Sequence, residues 1–189
     1  MSADHKRPAD DLPQLRSLRF PRHPGISAAV CEAFAEAAEV CLAKHHSPPR
    51  TELLIECCGR EAKRTLSWRF PDDTAQRAWN NEDDATRDGA YIVSIAVVEK
   101  ELGLVALSRA ETRTGADYYV GSPDATDFED AFRLEVSGVD RGKLPAIRRR
   151  LREKEEQALR GDSPLPAYAS VVGFGEASVL LNLVEETQC

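Results

Sequence analysis

Two short stretches in the C-terminal half alternate apolar and polar residues with a period of two. In Gly115–Gly121, Ala116, Tyr118 and Val120 alternate with Asp117 and Tyr119. In Phe132–Ser137, Phe132, Leu134 and Val136 alternate with Arg133, Glu135 and Ser137. Side chains alternate faces along a strand, so each stretch is predicted as a strand with one apolar and one polar face. The loop between them, Ser122–Ala131, carries Asp124, Asp127, Glu129 and Asp130 and reads as a solvated hairpin loop.

A helical period governs other stretches. Val30, Ala33, Phe34, Ala37, Cys41 and Leu42 form one stripe, predicting a helix from Ser27, its N-cap, to Lys44. His45–His46 and Ser47–Pro48–Pro49 end it, the histidines favoured beside the C-terminal dipole. A second stripe, Ala85, Asp88, Ile92, Ile95, Ala96, Glu99 and Leu102, predicts a helix over 83–102 closed by Gly103. The β-branched run Ile92–Val98 would also suit a buried strand; the helix ending decides for helix. A third helix, Lys143 to Arg160, has a thin seam of Leu144, Ile147, Leu151 and Ala158. Its first half is basic through Arg148, Arg149, Arg150, Arg152 and Lys154, and Glu153, Glu155 and Glu156 follow.

Thr51–Cys58 and Thr65–Phe70 read as two strands around a turn at Gly59–Ala62. Leu104–Ala110 reads as a strand of mixed polarity, and Tyr168–Phe174 and Ser178–Glu185 as closing strands. Residues 1–25 hold four prolines and many charges and read as a flexible lead-in, docked at its end by Leu18 and Phe20. The expected organisation is a lead-in over 1–25, a helix-plus-hairpin elaboration over 26–82 and a core over 83–189, with 26–189 as one continuous domain the alternative.

The chain's 189 residues suffice for one full-size domain. Its net charge of −7 argues against a protein that coats nucleic acid non-specifically, while leaving room for a local basic groove. The five cysteines show no CxxC pair and no zinc-like spacing, which fits reduced thiols in a cytosol. The start, charged and proline-containing, lacks the apolar core of a secretion signal, and no apolar run approaches the ~18 residues of a spanning helix. A cytoplasmic location and no membrane partner are therefore expected.

Pairing the two alternating strands side by side lets Asp117 and Glu135 converge, with Ser137 on the same face. Two converging carboxylates suit a hard divalent cation such as Mg²⁺ and the hydrolysis of phosphodiesters. Glu99 sits on the apolar stripe of its helix, where a carboxylate needs a partner or a cation. The arginines at 148–150 and 152 read either as a solvated face or as a phosphate-contacting surface. Ser137 as a nucleophile would need a distant histidine, since all four precede residue 47.

From Asp83 onward the predicted order is helix, three strands, helix, strand, strand, with Asp117 on the second strand and Glu135 on the third. This order resembles the core of the PD-(D/E)XK nuclease superfamily, the restriction-endonuclease-like fold, whose core runs α-β-β-β-α-β. The resemblance covers residues 83–189 and implies an α/β protein. Asp117 matches the metal-binding aspartate and Glu135 the glutamate of the Glu-x-Lys motif. Glu99, or alternatively Asp88, matches the helix glutamate, and Mg²⁺ is the implied cofactor. Ser137 stands where the family has its lysine, so the positive charge must come from elsewhere, with Lys143, Arg133 or Arg148 as candidates, or the site does not cut. The segments Gly115–Gly121 and Arg133–Gly138 are also similar to an uncharacterised bacterial family.

Two functions follow. The first is a metal-dependent nuclease, or a nuclease-derived DNA- or RNA-binding subunit of a bacterial system. There Asp117, Glu135, Ser137 and Glu99 form the site, and Arg148, Arg149, Arg150 and Arg152 contact the backbone. The second is a non-catalytic scaffold that meets a protein partner through a degenerate nuclease fold. The acidic balance and the missing lysine favour the second.

Overall fold

A computed structural model describes residues 10–184. The first nine residues of the expected lead-in, Cys189, and Glu185 of the last expected strand lie outside the described residues.

Helix α1 (Ala28–His45) begins where predicted, with the Ser27 hydroxyl accepting the Val30 N–H at 3.3 Å. Strands β1 (Arg50–Cys57) and β2 (Arg60–Ser67) form a hairpin. Its turn is only Cys58–Gly59, both at positive φ (48° and 76°), as a two-residue hairpin connection demands. The tight turn makes β2 begin at Arg60 rather than the expected Thr65. A short helix α2 (Asp73–Ala78) follows, unforeseen in the sequence; the Asp72 carboxylate caps it by accepting from the Thr74 and Ala75 N–H groups.

Helix α3 (Glu82–Leu102) contains Ile92–Val98, so that β-branched run is helical. Asn81 caps its start, three acidic residues fill its first turn, and Gly103 at φ 70° closes it. Strands β3 (Val105–Arg109), β4 (Tyr118–Gly121) and β5 (Phe132–Val139) form an antiparallel meander. Helix α4 (Leu144–Leu159) then crosses to β6 (Ala167–Gly173), which pairs parallel to β5, and β7 (Ser178–Val184) returns antiparallel. The chain is thus mixed α/β, with four α-helices and one seven-stranded sheet in the order β2-β1-β7-β6-β5-β4-β3 among the described residues. Because β1 pairs parallel with β7, the N-terminal hairpin extends the same sheet as the C-terminal strands.

Helices α1 and α3 cover one face of the sheet and α4 the other. This explains the all-buried β6: Tyr168 and Val172 join the α1/α3 core, Ala169 and Val171 the α4 core. The polar face of β5 is covered as well, because α4 lies across Arg133, Glu135 and Ser137, all buried. Residues 10–25 pack more closely than expected of a lead-in: Leu12, Leu15 and Leu18 are buried, and the Leu12 N–H donates to Thr65 O at 2.9 Å. Phe20, expected to dock, is 70% exposed. No helix among the described residues is long and apolar enough to cross a membrane.

Candidate functional site

Asp117 lies one residue ahead of β4, and backbone bonds fix it between its neighbours. Its carbonyl accepts the Ala110 N–H at 3.0 Å and its own N–H donates to Leu134 O at 2.8 Å. The carboxylate is held as firmly. Oδ1 accepts the Tyr91 hydroxyl at 2.8 Å, Oδ2 accepts the Val136 N–H at 2.9 Å, and the Arg109 guanidinium stands 3.6 Å away. Arg109 is itself packed over two rings, 4.3 Å from the Tyr91 centroid and 4.7 Å from that of Tyr118. Burial and the Asp117 charge push the Tyr91 hydroxyl up to about 12, so it stays protonated as a donor at neutral pH.

Glu135 is 3% exposed, and its Oε1 accepts Lys154 Nζ at 2.6 Å. Lys154 comes from α4 and also donates to Gln157 Oε1 at 3.0 Å. Even so, the Glu135 carboxyl is held above its ordinary range. Burial contributes most, the Asp117 charge adds to it, and Lys154 and Arg150 oppose both. Two residues on, the Ser137 hydroxyl accepts Arg150 Nε at 2.8 Å.

The carboxylates and Ser137 open on a cleft of about 910 Å³, bounded by the start of α3, residues 109–117, β5 and α4. Six cationic side chains line it: Arg87, Arg109, Arg113, Arg150, Lys154 and Arg160. Four acids oppose them, Asp83, Glu111, Asp117 and Glu135, so a chain of net charge −7 has an excess of positive charge here. Lining residues also include polar Thr86 and Gln157 and a backbone run at Gly115–Ala116.

The other expected site residues lie elsewhere. Glu99 is eight residues beyond Tyr91, about 12 Å along the helix axis. It pairs there with Arg22 and with buried His23, the His23 Nε2 at 2.8 Å. Because His23 Nδ1 accepts the Ala106 N–H at 3.0 Å, Nε2 is the donor to Glu99. Asp88 pairs with Arg87 at 2.8 Å and does not line the cleft.

The four arginines diverge, as a helix of 3.6 residues per turn requires. Arg148 reaches Glu56 at 3.1 Å, Arg149 approaches Glu153 at 4.0 Å, and Arg152 is exposed outside the cleft. Arg150 alone of the four lines the cleft.

The three cations named as candidates beside Ser137 have other partners. Lys143 pairs with Glu176 at 3.1 Å, Arg148 with Glu56, and Arg133 binds backbone carbonyls. Lys154 and Arg150 bring the charge instead, on the face of α4 that crosses β5. Both belong to the basic run of α4, but the crossing register that aims them at Glu135 and Ser137 is not legible in the sequence. Tyr91 and Arg109 were missed, each reading as an ordinary core or strand residue.

Ser137 is bound to an arginine, not a base. The described histidines are engaged elsewhere, His45 with Asp140 at 3.0 Å and His46 with Phe174 O at 2.7 Å. Among the described residues no group of three or more His, Cys, Asp or Glu side chains is gathered as for a metal ion, the acidic loop included. No protein-family model matches the chain, and no curated protein or solved structure matches it.

Proposed function

We propose that the protein is a metal-dependent nuclease, or a nuclease-derived nucleic-acid-binding subunit, on a restriction-endonuclease-like core. The element order α3-β3-β4-β5-α4-β6 is in keeping with that core. One observation carries the reading: Lys154 stands 2.6 Å from Glu135, beside Asp117, in a cleft whose lining is net positive. The cation expected two residues after the glutamate on β5 arrives from α4 instead.

The donor set fits Mg²⁺, which commonly takes one or two carboxylates and completes its shell with water and substrate phosphate. Glu135 is destabilised as an anion by burial and by the Asp117 charge, which a cation would relieve. Asp117 and Glu135 would hold the ion, which supplies a polarised phosphoryl group and a water of lowered pKa when bound.

The chain's own residues do the rest. Tyr91 and the Val136 N–H orient Asp117, and Arg109, stiffened between two rings, places a cation beside it. Lys154 supplies positive charge where negative charge accumulates on the phosphate, and Arg150, steadied through Ser137, positions the backbone.

The non-catalytic alternative draws on Asp117, both of whose oxygens already accept hydrogen bonds. Calorimetry with Mg²⁺ and Mn²⁺ tests the proposal, comparing the parent chain with Asp117→Asn and Glu135→Gln. Saturable binding lost in both variants, with metal-dependent cleavage of DNA or RNA by the parent, is the expected result. A parent that neither binds metal in the presence of nucleic acid nor cleaves would leave the scaffold reading.

A further inference from the structure

One end of the cleft is shut by backbone. The wall of residues 110–117 and the wall formed by α4 meet where Thr114 touches Gly161. A Cβ at Gly161 would lie 2.1 Å from the Thr114 carbonyl oxygen, so only glycine permits this approach. The Asp162 N–H donates to Arg113 O at 3.2 Å. Arg133, 6% exposed, ties both walls together by donating from Nη1 to Thr114 O and Ala158 O, each at 2.8 Å. The two walls of the cleft are therefore joined by backbone at this junction.

The positive charge of the cleft is unevenly committed. Arg87, Arg109, Arg150 and Lys154 all have carboxylate partners within 3.6 Å. Arg113 and Arg160 have no ion-pair partner among the described residues, and both flank the closed end. Arg113 holds φ at 78°, a conformation that favours glycine over a long side chain. Strain of this kind is concentrated at functional sites, where the side chain itself is needed.

We propose that the closed end is a phosphomonoester subsite: Arg113 and Arg160 take the terminal phosphate of a nucleic-acid strand. The cleft then acts on strand ends, not within an unbroken chain. The charge matches. A phosphomonoester carries about −1.5 to −2 near neutral pH with three strong acceptor oxygens, against one negative charge for a diester. Guanidinium forks bind such a group bidentately. The proposal rests on the nucleic-acid reading of the cleft, but not on the metal.

Fluorescence anisotropy in EDTA, with one single-stranded oligonucleotide in four forms, tests it. The forms are a covalently closed circle and linear strands with a 5′-phosphate, a 3′-phosphate, or hydroxyls at both ends. The parent is expected to bind one phosphorylated form about tenfold or more tighter than the circle and the hydroxyl form. Arg113→Gly, which also relaxes the backbone, and Arg160→Gln are each expected to abolish that preference, so that the phosphorylated strand binds no tighter than the circle. Arg152→Ala, outside the cleft, is expected to keep it. Equal affinity for the circle and both phosphorylated strands overturns the proposal and leaves the nucleic-acid reading standing. A preference that survives in both variants overturns the assignment to Arg113 and Arg160. No binding to any form overturns the nucleic-acid reading, and this proposal with it.

Discussion

Glu99 and Glu135 are both carboxylates set into the packing, both paired with cations, and burial pushes the pKa of each upward. Yet they end on opposite sides of the ordinary value. At Glu99 the hydrogen bonds from His23 and Arg22 outweigh burial, and the carboxyl is held low. At Glu135 the Asp117 charge joins burial, Lys154 does not fully compensate, and the carboxyl is held high. The first arrangement is closed: His23 is fully buried and Glu99 does not line the cleft. The second faces the open cleft and retains a demand for positive charge. Burial of an acid therefore does not mark a functional site. Burial that its partners leave uncompensated, beside a second acid and a cleft, marks a candidate for one.

The largest expected effect separates the two glutamates by activity. On the proposed function, Asp117→Asn and Glu135→Gln should each lower phosphodiester cleavage by about 10²–10³-fold or more. Both are near-isosteric, but Asn offers one acceptor where Asp117 uses two and Gln leaves Lys154 without its ion pair, so turnover is compared per folded protein. Glu99→Gln should leave the turnover of folded protein unchanged. Turnover measured beside thermal melts decides, and an equal loss of turnover in Glu99→Gln and Glu135→Gln would erase the distinction.

A smaller effect tests which cation matters. Lys154→Met should lower cleavage by about 10²-fold, comparable to losing one preorganised donor. Lys154→Arg should restore it only in part, because a planar fork cannot replace a compact ammonium at 2.6 Å from Glu135. Arg148→Ala, whose partner is Glu56, should leave the rate unaltered. Rates of the three variants on one substrate provide the check, and a rate lost in Arg148→Ala but kept in Lys154→Met would reverse the assignment.

On the structural side, Glu99→Ala should destabilise the fold by about 2–4 kcal/mol, since it strands buried His23 Nε2 and the Arg22 charge. Urea melts measure this. A loss below 0.5 kcal/mol would mean that water or another acceptor satisfies both groups.

The contrast between these regions was only half legible in the chain. Alternation around Asp117 and Glu135 carried the meander, because a period of two survives whichever element covers the face. The stripe through Glu99 carried the helix and even the carboxylate's need for a partner. What it could not carry was the partner's identity. His23 lies 76 residues away, in a proline-rich segment that reads as a lead-in and reaches Glu99 only once Leu15 and Leu18 are buried. Lys154 was hidden for a related reason. Its position within a basic run is local information, but the register in which α4 crosses β5 is fixed by Ile147 and Leu151 packing on Ala169, Val171 and Leu180. Sequence patterns thus report which residues share a face, and the docking of that face on a remote element decides what its charges meet. Helix α2 was missed because its cap, Asp72, stands beside Pro71 and reads as a breaker.

The smallest expected effect is a pH dependence confined to the closed network. Burial raises the Glu99 carboxyl, but the His23 and Arg22 hydrogen bonds and the Arg22 charge bring it below its ordinary value of 4.5. A carboxyl whose folded pKa is depressed binds its proton less readily in the folded chain than in the unfolded one. Its stabilisation is complete above the unfolded value and disappears as pH falls through the folded value. The stability gap between the parent and Glu99→Gln should therefore narrow as pH falls below the usual carboxylate range, about pH 4.3. Glutamine retains an acceptor for His23, so the gap should be about 1 kcal/mol, smaller than for alanine. Urea melts of both chains between pH 7 and pH 3.5 measure it. A gap that widens in acid would mean that the Glu99 carboxyl is protonated more readily in the folded state, placing it with Glu135 instead of opposite to it.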